Sequence, residues 1–213
     1  MADNFLEKQY EAYAHKQTVV VRRSNASLDT LLHRNRSTRG YDSRVPVPED
    51  LLRQMVAVNS LVASARNAQR LRFRPVNTSE TCAKVLETLR MGGALPELHL
   101  PLPGTEPTAY IVVVPEADCK PDAELYIDLG ISLQSMSLKA VEKGFNTLII
   151  RAFDAQALAG VLGLKQMPMA VLAVGKSKEH IFLKPASPGT SLSYYRKDGN
   201  HYVPKLQPED LLV

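Results

Sequence analysis

The chain has 213 residues and a mass of 23.5 kDa, with 45% hydrophobic and 23% charged residues, which is globular composition for one domain or at most two small ones. That excludes a disordered chain, a collagen and a disulfide-stapled peptide. The net charge of +4 is concentrated: nine arginines and three acids lie between Arg34 and Arg74, a local +6 that leaves −2 for the rest.

Taken from the start, Met1 to Lys8 is charged and lacks the apolar core of a secretory signal. No apolar run anywhere approaches the roughly 20 residues that span a bilayer. A cytoplasmic protein without a membrane partner is expected. Residues 4–16 read as a short polar helix, and Thr18 to Arg23 as a strand or extended arm, so that 1–26 form an N-terminal helix and arm. Ser27 is placed to cap a short helix through His33. Pro46 and Pro48 mark the start of an amphipathic helix of some four turns, with Leu51, Leu52, Met55, Val58, Leu61 and Val62 on its apolar stripe, ending near Ser64.

Arg72 to Val76 then reads as a strand and Thr81 to Met91 as a helix stopped by Gly92-Gly93. Residues 94–108 form a proline-rich loop without regular period. Ala109 to Val114 is β-branched, apolar and bounded by prolines, as a buried strand is. Asp122 to Lys143 is the strongest helix signal; apolar residues spread over much of its circumference, so it is expected to be central and well buried. Asn146 to Ile150 is a strand, Ala155 to Leu162 a helix, and Met169 to Val174 a strand ended by Gly175. Past Gly175 the pattern dissolves. Residues 176–213 hold four prolines and no core of their own, so they are expected to lie on another surface, such as a partner subunit. Five strands and six helices in all, alternating after a mainly helical first half, suggest a three-layer α+β fold around one mixed sheet.

Cys82 and Cys119 belong to no paired motif and read as ordinary thiols of a reducing compartment. His15, His33, His99, His180 and His201 have no metal-ligand spacing, so no metal site is expected. Three stretches could carry chemistry. Arg34 to Tyr41 gathers three guanidinium groups and two hydroxyls, a set that can grip a phosphate or sit as a solvated turn. Ala63 to Gln69 combines small residues with amide side chains, either beside a flat ligand or as a plain helix end. Gly144 to Asp154 joins a long helix, a buried strand and a new helix, where backbone N–H groups commonly face a ligand crevice. The spacing of Arg66, Arg70 and Arg74 would also suit a groove-binding helix, which keeps a nucleic-acid-binding module on Arg34–Arg74 as a remote alternative, although Arg72 to Val76 reads as a strand and no standard nucleic-acid motif is present.

Taken together these stretches resemble the FMN-dependent nitroreductase family. The likeness runs through RNRSTRGYDSRVPVPEDLLRQMV, ASARNAQRLRFRPV, DLGISLQSMSLKAVEKGFNTLIIRAFD and LAGVLGLKQMPMAVLAVGKS, in order and over about residues 31–177. The closing YYRKDGNHYVPKLQPEDLL resembles the C-terminal segment of one bacterial branch. The resemblance implies a single domain over 1–213, a three-layer α+β fold with a central mixed, mainly antiparallel sheet flanked by helices, and an interlocked homodimer whose 176–213 extension wraps the partner subunit. It implies FMN at the subunit interface, NAD(P)H as electron donor, and a nitroaromatic, quinone or similar small acceptor served in a ping-pong mechanism through flavin N5.

By position it places Arg36, Ser37 and Arg39 on the phosphate, ribityl chain and pyrimidine edge. Ser64, Ala65 and Asn67 would reach the flavin from the other subunit. Ile150, Arg151 and Ala152 would lie along the ring near N5, and Lys205 would serve the phosphate. No catalytic side chain is required, because the flavin carries the redox chemistry. Asn35, Ala63, Arg151-Ala152 and Leu206 depart from common family residues, which bears on activity and keeps a catalytically silent or narrowly specialised FMN-binding protein as an alternative. Tyr194 and Tyr195 either anchor the tail on the partner subunit or line the substrate pocket.

Overall fold

A computed structural model describes residues 26–93 and 98–213. The expected helix at 4–16 and the arm at 18–23 lie outside these residues. The core is a four-stranded sheet of β1 (Leu71–Val76), β2 (Ala109–Pro115), β3 (Asn146–Ile150) and β4 (Ala170–Gly175). Its order is β1-β2-β4-β3 and every one of these pairs is antiparallel. A parallel bridge from Ser37 to Thr147 adds the chain before it to the β3 edge, so the sheet is mixed but mainly antiparallel.

The alternation of side chains along a strand builds a core on each face. Ile111, Val113, Leu172 and Val174 pack against Leu52 and Met55 of α2 (Glu49–Ala57) and Leu125, Leu129, Leu133 and Met136 of α4 (Ala123–Glu142). Tyr110, Val112, Val171 and Ala173 pack against Val85 of α3 (Ser79–Glu87) and Leu158 and Leu162 of α5 (Ala155–Leu162). Central strands covered on both faces read as unbroken apolar runs, which is why β2 and β4 are visible in the sequence. The α+β, three-layer expectation holds.

Local chemistry sets the helix ends. Ser27 caps α1 (Leu28–Arg34) by accepting from Thr30 N–H at 3.2 Å, as its position predicts. Asp122 and Asp154 cap α4 and α5 in the same way. Two helices are shorter at their C-terminal ends than their periodicity predicts. The α2 helix gives way to a 3-10 turn at Val58–Ser60, where Asn59 Nδ2 donates to Val56 O and Ser60 Oγ to Ala57 O, competing with the backbone. The α3 helix ends at Glu87, followed by Thr88, whose hydroxyl donates to Val85 O at 2.7 Å. Residues 89–91 then bridge to Phe153 and Leu100.

The tail departs most from the sequence reading. Residues past Gly175 form a second sheet of β5 (Ile181–Ala186), β6 (Tyr195–Lys197) and β7 (Asn200–Leu206), in the order β5-β7-β6. The β6–β7 hairpin turns on Asp198 and Gly199, both left-handed at φ 50° and 75°. Phe182 and Tyr195 stack on either side of Tyr202. The segment that leads into this sheet bonds to the basic turn: Lys178 N–H donates to Gly40 O and Asp42 N–H to Lys176 O.

Candidate functional site

After α1 the chain runs as a turn along the β3 edge. Thr38 N–H donates to Thr147 O at 3.0 Å, and Asn146 Nδ2 to Arg34 O at 3.2 Å. Thr38 and Tyr41 are fully buried, with Tyr41 Oη donating to Thr38 O at 2.7 Å. Burying these two leaves Arg36, Ser37 and Arg39 along a cleft of about 270 Å³. The other wall comes from the tail: Tyr194, just before β6, and His201 and Lys205 of β7. Gln134 and Ser137 of α4, Thr147 and Ile149 of β3, and Asn35 also line it. The tail sheet therefore builds the site with the basic turn of the same chain.

Charge pairing along the arginine-rich stretch bears on this cleft. Five of the nine arginines are neutralised: Arg44 by Asp42, Arg53 by Glu49, Arg66 by Glu124, Arg70 by Asp122 and Arg72 by Glu116. Among the described residues, Arg34, Arg36, Arg39 and Arg74 form no ion pair, and neither does Lys205. Arg36, Arg39 and Lys205 line the cleft together. Arg36 donates to Leu32 O at 2.7 Å, and burial lowers its pKa. The Nε atoms of Arg36 and Arg39 are buried without a partner. Unsatisfied donors beside unpaired charge favour an anion with several acceptor oxygens, and Ser37 adds a hydroxyl, whereas the Thr147 hydroxyl donates to Ser137 Oγ at 2.9 Å.

His201 sits in the same wall, 3% exposed, with Nδ1 buried and unpartnered. Burial, then the Arg39 and Arg196 guanidiniums, push its pKa down to about 4, so it is neutral at pH 7. Sequence spacing gave it no role. Its signal is the sheet register: Arg196 faces His201 across the β6–β7 hairpin.

The other expected residues lie elsewhere on the chain. Ser64, with Ala63 and Gln69, lines a separate cleft of about 210 Å³ that includes Asp128 and Ser132. Arg66, Asn67 and Gln69 are left-handed, at φ 54°, 54° and 50°. This strained turn is held by Asp128 Oδ1, which accepts from Ala65 N–H at 2.8 Å, and by Ser64 Oγ, which accepts from Gln69 N–H. Ser64, Ala65 and Asn67 do not line the Arg36 cleft. Ile150 is buried in the core, and its neighbour Ile149 faces the cleft instead, as strand alternation requires. Arg151 is exposed, its guanidinium 5.1 Å from the Tyr126 ring centroid. Ala152 O accepts from Arg90 N–H.

Within the chain the two tyrosines differ: Tyr194 lines the cleft, whereas Tyr195 stacks on Tyr202. Arg66, Arg70 and Arg74 share no helix. Arg66 is in a 3-10 turn and Arg74 on β1, and two of the three are paired with acids, which removes the basis for a groove-binding helix. Among the described residues no cluster of His, Cys, Asp or Glu could hold a metal ion, and no helix is long and apolar enough to cross a membrane.

Comparison with known proteins bears on the whole arrangement. No curated protein matches the chain. Among solved structures, it resembles a candidate nitroreductase in complex with FMN from Exiguobacterium sibiricum 255-15, at 18% identity and TM-score 0.59 over 72% of this chain and 89% of that one. It also resembles a candidate NAD(P)H:FMN oxidoreductase from Staphylococcus epidermidis ATCC 12228, at 16% identity and TM-score 0.57 over 72% and 88%. A nitroreductase family protein from Streptococcus pneumoniae TIGR4 aligns at 15% identity and TM-score 0.60 over 76% and 94%. At these identities the likeness is one of fold. The family model named Nitroreductase family matches residues 32–176, the span that holds the basic turn and the whole four-stranded sheet, and the chain therefore belongs to the nitroreductase family.

Proposed function

We propose that the protein is an FMN-dependent oxidoreductase that takes a hydride from NAD(P)H and delivers it to a nitroaromatic, quinone or similar small acceptor by a ping-pong mechanism. The observation that carries this reading is the group of unpaired cations, Arg36, Arg39 and Lys205, around one cleft. Their free donors and the Ser37 hydroxyl fit a dianionic phosphate, so the residues present fit FMN. The flavin relatives named above give the cofactor its chemical identity. When bound, FMN supplies hydride acceptance and donation at N5.

The chain's own residues bind and orient. Arg36 and Lys205 hold the phosphate, with Ser37 donating from the turn. Arg39, whose positive charge no carboxylate compensates, would face the pyrimidine edge and favour negative charge there. Ala152, exposed after β3, would offer its N–H toward the flavin N5. Ile149 presents an apolar surface in the cleft. Ser64, Ala65 and Asn67 act on the cleft of a second copy, which makes the unit a homodimer. Exposed Tyr126 and Ile127 on α4 and Ile149 on β3 give such a dimer an apolar surface.

The test is the visible spectrum of the purified protein, followed by anaerobic addition of NADH and then NADPH. Bleaching of a flavin spectrum by either nucleotide is expected. A flavin spectrum that neither nucleotide bleaches would favour the catalytically silent flavin binder.

A further inference from the structure

We propose that Tyr194 and Glu179 are positioning residues for Arg39, and that through Arg39 they set the affinity and the reduction potential of the bound flavin. This rests on the flavin reading of the cleft. Both residues belong to the segment after Gly175, outside the span that the family model matches.

Arg39 is held from two sides. At its backbone, Glu179 Oε2 accepts from the Arg39 N–H at 2.7 Å. The Glu179 side chain is only 10% exposed, and its other oxygen pairs with the Arg196 guanidinium. Glu179 also lies against Gly40, where an added Cβ would stand 3.4 Å from Glu179 Cγ. The carboxylate is thus committed to a backbone amide and to a different arginine. At the side chain, the Arg39 guanidinium lies 4.5 Å over the Tyr194 ring centroid, and that ring packs on His201 at 5.2 Å. The remaining side-chain bond is from Nη1 to Ser37 O at 3.2 Å.

The chemistry of the two supports explains the choice. A carboxylate on the guanidinium would orient it and also neutralise it. An aromatic face orients the cation by its quadrupole and leaves charge and most N–H donors for a ligand. Without the ring, the long side chain regains rotamer freedom, which must be lost again on binding. Glu179 meanwhile fixes where the side chain starts.

The experiment is a double-mutant cycle on purified protein, reading FMN affinity by fluorescence quenching and the two-electron midpoint potential by dye equilibration. Tyr194→Leu is expected to weaken FMN by about fivefold and to lower the potential. Tyr194→Phe keeps the ring and should stay within about twofold of wild type. In an Arg39→Gln background, Tyr194→Leu should change neither readout further. Glu179→Gln, which retains a carbonyl for the Arg39 N–H, should lose less affinity than Glu179→Ala. If Tyr194→Leu does not fold, Tyr194→Met replaces it in the cycle. Equal losses in both backgrounds, or an unchanged affinity and potential, overturn the inference and leave the flavin reading standing. Wild-type protein that takes up no FMN overturns both.

Discussion

Gly175 ends β4 against the ring of Tyr41, and a Cβ there would stand 2.6 Å from Tyr41 Cδ1. Tyr41 is fully buried, so the ring cannot retreat without moving the turn that carries Arg36 and Arg39. Gly175→Ala should destabilise the protein by about 1–3 kcal/mol, read as a lowered Tm. His201 gives a pH signature at the same scale. Its pKa is about 4 in the fold against an ordinary 6.5. Between these values the unfolded chain binds a proton that the folded chain refuses, so stability falls as pH drops from 6.5 toward 4. Urea titrations over that range should show a shallower pH slope for His201→Phe than for wild type. Cys82 is inert for a related reason: burial pushes its thiol up to about 11, so native protein should be slow to alkylate there.

At the scale of elements, capping decides where helices begin. Asp154 Oδ1 accepts from Ala157 N–H at 2.9 Å, and Gly163 closes the other end of α5 at φ 62°. Asp154→Ala should cost about 1 kcal/mol in a denaturant titration. These ends were legible because caps act over three or four residues. The C-terminal ends of α2 and α3 were not, because side chains of Asn59, Ser60 and Thr88 compete there with the helix that the apolar stripe alone suggests. The tail strands were hidden for another reason. The β5 strand is half exposed and carries Pro185, and its sheet is held by aromatic stacking across distant residues. A local clue did exist, since Asp198-Gly199 between Tyr195–Lys197 and Asn200–Leu206 is a hairpin signature.

Across the whole molecule, the fold organises charge. The arginine excess was visible as a local run, but its meaning depended on partners that sequence does not mark. Glu116, Asp122 and Glu124 lie 44, 52 and 58 residues beyond Arg72, Arg70 and Arg66, and they neutralise these three. What remains unpaired at the cleft is Arg36 and Arg39, joined by Lys205 from the far end of the chain. The separation of Ser64, Ala65 and Asn67 from that cleft belongs to this scale as well. If they complete it from a second copy, light scattering after gel filtration should give twice the chain mass of 23.5 kDa. Monomeric protein that binds FMN normally would remove that role from them.

Equilibrium titration of flavin-free protein with FMN, alongside riboflavin, tests the central assignment most directly. Wild type should bind one FMN per chain and prefer it to riboflavin, which lacks the phosphate. Arg36→Ala should lose roughly 10- to 100-fold in FMN affinity, the effect of one charge-assisted hydrogen bond, while riboflavin binding changes little. FMN and riboflavin binding equally well to wild type, or neither binding at all, would contradict the assignment of the Arg36–Arg39–Lys205 cleft as the phosphate site.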